Sequence, residues 1–295
     1  MQPVSRFLRL VTAELTKIRS IRSTAWALVL TPLICVCAGY AISLSLRVSF
    51  PRLPLPQRRD FDPLFATFYS ISLGQLALAV FGVIVVGGEY TSGTISASLT
   101  AVPRRCLFYA AKTAAGLLVA AVTALTSVAA TFFVAQQALG LHRVSPLAPA
   151  ALQAAVGAFL YLTLICGVAM GLTAITRSPA LALGIIMPLL FFDSQGLGNV
   201  PGLQKVIDYL PDQSGAVIMH LNGPADGRFS RPFGPWTGMA IMLAWTVATL
   251  ACGYLVLSRT DVTTVSRPRR RRLMFRSFSS VTPRTRRAGS CSGPG

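Results

Sequence analysis

Charge is scarce in this 295-residue chain: only 12% of its positions are Asp, Glu, Lys or Arg, against about a quarter in an ordinary soluble domain. So little polar side chain cannot cover a water-facing surface, and a bilayer has to serve as part of the solvent. Lysine is limited to Lys17, Lys112 and Lys205, and histidine to His142 and His220, which removes whole classes of chemistry. A phosphate-cradling loop needs Gly-x-x-x-x-Gly-Lys-Ser/Thr. Only Lys112 precedes a hydroxyl residue, Thr113, and Ala111 stands where the motif wants glycine, so ATP is not bound by that route. Neither histidine belongs to a two-histidine helical motif for metal hydrolysis. The apolar runs hold no Asp, Glu, Lys or Arg at mid-depth, where an ion-coupled carrier places such charges, so uphill movement of a solute would draw its energy from another subunit. No catalytic pair is visible, and no cofactor or metal is expected. Four of the six cysteines (Cys35, Cys37, Cys166 and Cys252) fall inside apolar runs, with Cys106 and Cys291 outside. That is not a disulfide framework, and all six are expected to be reduced. The first twenty residues carry Arg6, Arg9, Glu14, Lys17 and Arg19 without an apolar core or cleavage site. A first span acting as an uncleaved signal anchor is expected.

What the chain has in abundance is long apolar sequence, 53% of its residues being hydrophobic. A spanning helix needs roughly 20 largely apolar residues, which selects Thr24–Leu46, Leu64–Gly88, Thr113–Leu139, Ala150–Thr176 and Trp236–Leu257. A sixth run, Pro179–Phe192, is short; it must extend through Asp193 and Gln195, thin the bilayer, or stop partway across. The expected fold is therefore all-α, a polytopic membrane protein of about six transmembrane helices occupying residues 24–257. With the N-terminus inside, nineteen Lys and Arg fall on inner segments (Arg6 to Arg22; Arg104, Arg105 and Lys112; Arg177; ten arginines from Arg259 to Arg287) and eight on outer ones. Basic residues accumulate on cytoplasmic loops, so both termini are expected to be cytoplasmic, in the cytoplasmic (inner) membrane. In residues 1–23, Val4, Phe7, Leu8, Val11, Leu15 and Ile18 recur at helical spacing, with Arg6, Arg9 and Lys17 on the other side. Such a helix lies in the membrane interface or packs on a partner. The connection 193–235 is long enough to carry structure of its own. Leu203, Val206, Ile207 and Leu210, between Pro201 and Pro211, predict a short external helix or a re-entrant element.

Between the second and third runs stands Gly87-Gly88-Glu89-Tyr90-Thr91-Ser92-Gly93-Thr94-Ile95, then Val102-Pro103-Arg104-Arg105. Ile95, Leu99 and Val102 fall at i, i+4 and i+7, an apolar stripe that asks for a partner. The segment resembles the Gly-Glu-Tyr-x-x-Gly-Thr-Ile and Val-Pro-Arg-Arg pattern of bacterial type-2 ATP-binding-cassette (ABC) permeases. Glu14-Leu15-Thr16-Lys17-Ile18-Arg19-Ser20 and Tyr209-Leu210-Pro211 with Gly215 resemble that family's N-terminal segment and external loop. The resemblance covers Arg6 to Leu257 in layout. It implies a permease subunit of an exporter, paired with a second permease copy and driven by separately encoded ATPase subunits, with no ATP hydrolysis of its own. It also implies that Glu89, Tyr90, Gly93, Thr94, Ile95, Leu99, Val102, Arg104 and Arg105 form a cytoplasmic coupling helix and its surroundings, with Glu89 and Arg104 or Arg105 making the polar contacts of that joint.

A non-transporting membrane anchor or sensor is the competing class, told apart by whether an ATPase co-purifies. Gly167 and Gly171 form a Gly-x-x-x-Gly permitting close helix approach. Gln75, Gln153, Thr123, Ser127 and Thr131 line a path or make ordinary interhelical hydrogen bonds, and Pro32 and Pro188 are candidate kinks. Residues 258–295 form an Arg-rich, disordered tail whose Arg267, Arg269, Arg270, Arg271 and Arg272 suit anionic lipid; no nucleic acid is expected there.

Overall fold

The computed structural model describes residues 3–52, 54, 58, 62–102, 104–191, 208–219 and 232–259, the side chains of Pro3, Ser96, Leu99 and Ala101 excepted. Among them there is helix and no strand: α1 Pro3–Ser20, α2 Arg22–Ser49, α3 Pro63–Phe68, α4 Ile71–Thr91, α5 Ile95–Ala101, α6 Arg105–Leu139, α7 Pro149–Thr176, α8 Pro179–Phe191, α9 Pro211–Ala216 and α10 Pro235–Arg259. Local chemistry sets several of the boundaries. Asp62 caps α3, its carboxylate accepting from the amides of Leu64 (2.8 Å) and Phe65 (3.0 Å), with Pro63 in the first turn. Proline likewise opens α7 and α9. Helix α6 stops at Gly140, whose φ of 60° suits glycine. Pro211, expected to close a helix, opens one instead, because a proline needs no amide partner in a first turn. The helix expected over Leu203–Leu210 lies mostly outside the described residues.

Among the described residues, five helical segments are long and apolar enough to cross a membrane: Arg22–Arg52, Pro63–Thr91, Arg105–His142, Pro149–Thr176 and Pro235–Arg259. Helix α8, at 13 residues, is about 20 Å long and falls short of a hydrocarbon core of about 30 Å. α4 and α7 are the most enclosed of the spans, while α2, α6 and α10 turn apolar faces outward. Trp26, Val29 and Leu33 on α2, Leu118, Val122 and Leu125 on α6, and Leu243 and Val247 on α10 are all exposed. In water such a surface would aggregate; against acyl chains it is the correct exterior. The chain is thus a membrane-embedded helical bundle.

With no hydrophobic force between helices in lipid, close approach and hydrogen bonds hold the bundle. Gly167 and Gly171 sit where α7 crosses α10: a Cβ at Gly171 would lie 2.6 Å from the backbone carbon of Thr249, and one at Gly167 would lie 2.6 Å from Thr246 Cγ2. Thr246 donates across the same crossing to the Leu164 carbonyl at 3.2 Å. Thr123 and Ser127 donate to carbonyls of their own helix, whereas Gln75 joins an interhelical cluster described below. Gly171→Ala is expected to cost about 1–3 kcal/mol by overpacking against backbone that cannot yield. Gly184→Ala, at a site with no atom within 4 Å, should cost nothing. Thermal unfolding of both variants in detergent checks this.

Candidate functional site

The densest polar constellation lies where α1 meets the last turn of α4 and the second and third turns of α6. Glu14 and Lys17 are three residues apart on α1 and therefore share a face. Lys17 Nζ donates to Glu14 Oε1 at 2.8 Å and to Glu89 Oε1 at 3.0 Å. From α6, Lys112 Nζ donates to Glu14 Oε2 at 2.6 Å and to Glu89 Oε1 at 2.9 Å, and it lies 5.5 Å from the centre of the Phe108 ring. Two carboxylates and two ammoniums make a neutral quartet. Glu14, Glu89 and Lys112 are each less than a tenth exposed, and only Lys17 reaches solvent, its side chain 48% exposed. Glu89 Oε2 is buried and receives no hydrogen bond.

This geometry corrects the placement of Lys112 and Lys17. Lys112 is not in a loop, because α6 starts at Arg105 and carries it inward; burial is tolerable only because two carboxylates meet it. Glu89 pairs with Lys17 and Lys112 within the chain. Lys17 is not on the free polar side of α1, since Val11, Leu15 and Ile18 pack on the bundle alongside Glu14. α1 is thus docked on its own chain, while Val4 and Leu8 remain exposed. Thr24 closes the corner between α1 and α2 by donating to the Ile18 and Ile21 carbonyls, both at 2.6 Å.

The other expected site residues separate into groups. Tyr90 is half-buried beside Glu89, and Gly93 adopts φ 69° in the turn into α5, a conformation that favours glycine. Thr94 and Arg104 are exposed. Ile95 is buried in the chain's own core and Val102 packs against that core, so this part of the apolar stripe already has a partner within the chain. The side chain of Leu99, and Arg267, Arg269, Arg270, Arg271 and Arg272, lie outside the described residues. Arg105 Nη1 donates to the carbonyls of Leu257 (3.1 Å) and Ser258 (3.0 Å), and Arg177 Nη2 to that of Val256 at 2.9 Å. Both arginines thus satisfy the end carbonyls of α10, where the helix dipole also favours positive charge.

A cavity of about 610 Å³ adjoins the quartet, with Glu14, Lys17, Glu89 and Lys112 in its lining. A second polar cluster lies where α9 packs on α7 and α10. Tyr161 donates to Gln75 Oε1 and to Asp212 Oδ1, and Gln213 Nε2 reaches Asp212 Oδ2 at 2.8 Å. Gly215 makes room for the Tyr161 ring and Gly238 for the Ser214 carbonyl. Sequence reasoning gave no site role to Glu14, Lys112, Tyr161 or Asp212. The available signal was an isolated lysine and an isolated glutamate at the ends of neighbouring apolar runs, a pattern that asks for pairing. Among the described residues there is no cluster of His, Cys, Asp and Glu fit to hold a metal. The chain matches no family model and no characterised protein sequence.

Burial alone would raise the Glu14 carboxyl, but the ammonium groups of Lys112 and Lys17 outweigh it and hold the group below its ordinary value. Burial alone would lower Lys17, but its bonds to Glu14 and Glu89 outweigh that and leave it raised. A lowered carboxyl contributes stability above its unfolded value and loses it as pH falls through the folded one; a raised amine contributes below its unfolded value and loses it as pH rises through the folded one. The contributions of Glu14 and Lys17 are therefore both present at neutral pH. A spin label at Thr16, exposed on α1, should stay ordered at neutral pH and down through the ordinary glutamate range near about 4.3, gaining mobility only below it. Lys112→Met, which leaves two carboxylates facing one ammonium, should destabilise the fold by about 3–5 kcal/mol. Adding Glu14→Gln restores neutrality, so the double variant should unfold at a higher temperature than Lys112→Met alone.

Proposed function

We propose that this chain is the membrane-spanning subunit of an ATP-driven exporter of the type-2 ABC class, embedded in the cytoplasmic membrane with both termini inside. The observation that carries the reading is the construction around α5. This seven-residue helix joins α4 to α6, and the helix before it and the helix after it are tied to each other and to α1 by the Glu89, Lys112, Glu14 and Lys17 bonds. A force applied to α5 by a partner would move α1, α4 and α6 as one body. That is the mechanical requirement of a coupling element. The Gly88–Ile95 and Val102–Arg105 resemblance and the excess of basic residues on the same side support it.

In this reading the ATPase seats on the exposed side of α5 rather than on Ile95, which the bundle keeps. Thr94, Ala97, Thr100 and Arg104 are exposed there. The short α8 and the re-entrant α9 together complete a sixth crossing, a second permease copy pairs with this one, and the tail arginines hold anionic lipid. The test is Ala97→Glu with Thr100→Glu, assayed for co-purification of the separately encoded ATPase and for export by intact cells. Both should be lost while membrane insertion and protein level are kept. ATPase binding and export at wild-type levels would remove α5 from the coupling role.

A further inference from the structure

The end of the bundle away from the quartet gathers cations that helix packing does not explain. Helix α6 runs about 40 Å from Lys112 to Leu139 and ends in the short turn Gly140–His142, beside the turn Phe50–Arg52 that follows α2. The two turns meet through the rings of Phe50 and His142, 4.0 Å apart between centres, and the Arg58 guanidinium lies 5.9 Å from the centre of the Phe50 ring. Arg47 Nη1 donates to the Ala138 carbonyl at 3.4 Å, and a Cβ at Gly140 would lie 3.1 Å from the Arg47 guanidinium carbon. The Arg143 amide donates to the Gly140 carbonyl at 3.3 Å, which brings Arg143 to the same turn. Arg47, Arg52, Arg58 and Arg143 are all exposed. A cation beside the last carbonyls of α6 answers the helix dipole; that accounts for Arg47 but not for Arg143, whose backbone has already left the helix. Gathered like charges repel one another, and an anion relieves them.

Depth and surroundings name the anion. Two of the membrane-crossing segments, Arg22–Arg52 and Arg105–His142, end at this cluster, which puts it where apolar helix gives way to water, at the level of lipid phosphates. A groove of about 280 Å³ opens between α6 and α7, and every side chain in its lining is apolar. Pro146 is one of them, three residues after Arg143 and so within about 11 Å of it along the chain. From Leu125 to Phe133 the groove follows α6 for about 12 Å, most of the depth of one leaflet's hydrocarbon, about 15 Å. Leu125, Phe133 and Leu152 of its walls are exposed, so it opens sideways to acyl chains. A soluble phosphate would use the cations and leave the groove, whereas a phospholipid uses both. Arginine holds phosphate oxygens by paired, charge-assisted bonds, and a choline headgroup would bring its own cation against them. We infer that the α6–α7 groove and the arginines beside it form a binding site for an anionic phospholipid, with an acyl chain in the groove and the phosphate on Arg47 and Arg143. The site does not depend on the transport reading, and it calls on none of the tail arginines.

The experiment is photo-crosslinking of the full-length protein in phosphatidylcholine bilayers doped with a phosphatidylglycerol that carries a diazirine in mid-chain, or with the phosphatidylcholine of the same chains. Adducts are mapped by mass spectrometry, so those on the tail are read separately. The exposed stretch 29–33 of α2 is the reference for unselective lipid contact. Relative to it, the phosphatidylglycerol probe should label residues 125–133 and 152–159 at least about tenfold more than the phosphatidylcholine probe, the ratio that two arginines at a membrane surface supply. Arg47→Gln with Arg143→Gln should bring the two probes to equal labelling. Ala129→Trp, which fills the groove without touching a charge, should remove the groove adducts of both probes and leave the reference as it was. Inorganic phosphate should compete no better than chloride at equal ionic strength; better competition would assign the arginines to a soluble anion and overturn the inference. Equal labelling by the two probes in the wild type, or a preference that survives both arginine changes, would also overturn it. So would a groove left unlabelled while the α2 reference is labelled, which would mean that protein, such as a second copy of the chain, covers the groove.

Discussion

Three buried charges, joined by a fourth that is half-exposed, constrain everything around them at one end of the helical bundle. The desolvation of Lys112, Glu14 and Glu89 is repaid only while all the partners are in place, so α1, α4 and α6 must keep a common register to within a hydrogen-bond length. A buried lysine on α6 requires a carboxylate from α4, and one oxygen of that carboxylate already serves two ammoniums. The second acid therefore has to come from elsewhere, and α1 brings it. This is why an N-terminal amphipathic helix that would otherwise float on a membrane surface is docked on its own bundle.

The rest of the molecule follows the economics of lipid, where apolar contact alone does not drive helices together. Glycine brings α7 against α10 at backbone distance, and the end carbonyls of α10 are taken by Arg105 and Arg177. Two basic residues that a topology count treats only as markers of the inner side thus also act as helix caps. At the α9 end, Gly215 and Gly238 allow a short helix to pack deeply enough for Asp212 to meet Tyr161. The polar groups at both ends are consequently joined to helices that leave lipid-exposed faces elsewhere.

In the coupling role proposed above, the partner acts on α5, which stands between the two helices that the quartet binds together. Coupling to a partner needs a protruding element and a stiff base. The turn at Gly93 and the exposed residues of α5 supply the first, and the ion quartet supplies the second.

Sequence alone determined the solvent of this protein and its helical class, because runs of about 20 apolar residues with so little charge permit nothing else. It also marked Gly167 and Gly171 as a close approach, and Ile95, Leu99 and Val102 as one stripe of a short helix, since glycine spacing and local periodicity are written in nearby residues. It did not reveal that Lys112 is buried, that Glu14 and Glu89 share it, or that Ile95 is covered from within. Those facts depend on residues 98 positions apart (Glu14 and Lys112) and 72 apart (Lys17 and Glu89) meeting in space. A hydropathy window averages over single charges and carries no information on which helix faces which. Only the tertiary packing of α1 on α4 and α6 turned four scattered ionisable residues into one neutral cluster, because the energy of a buried charge is set by its neighbours in three dimensions and not by its neighbours along the chain.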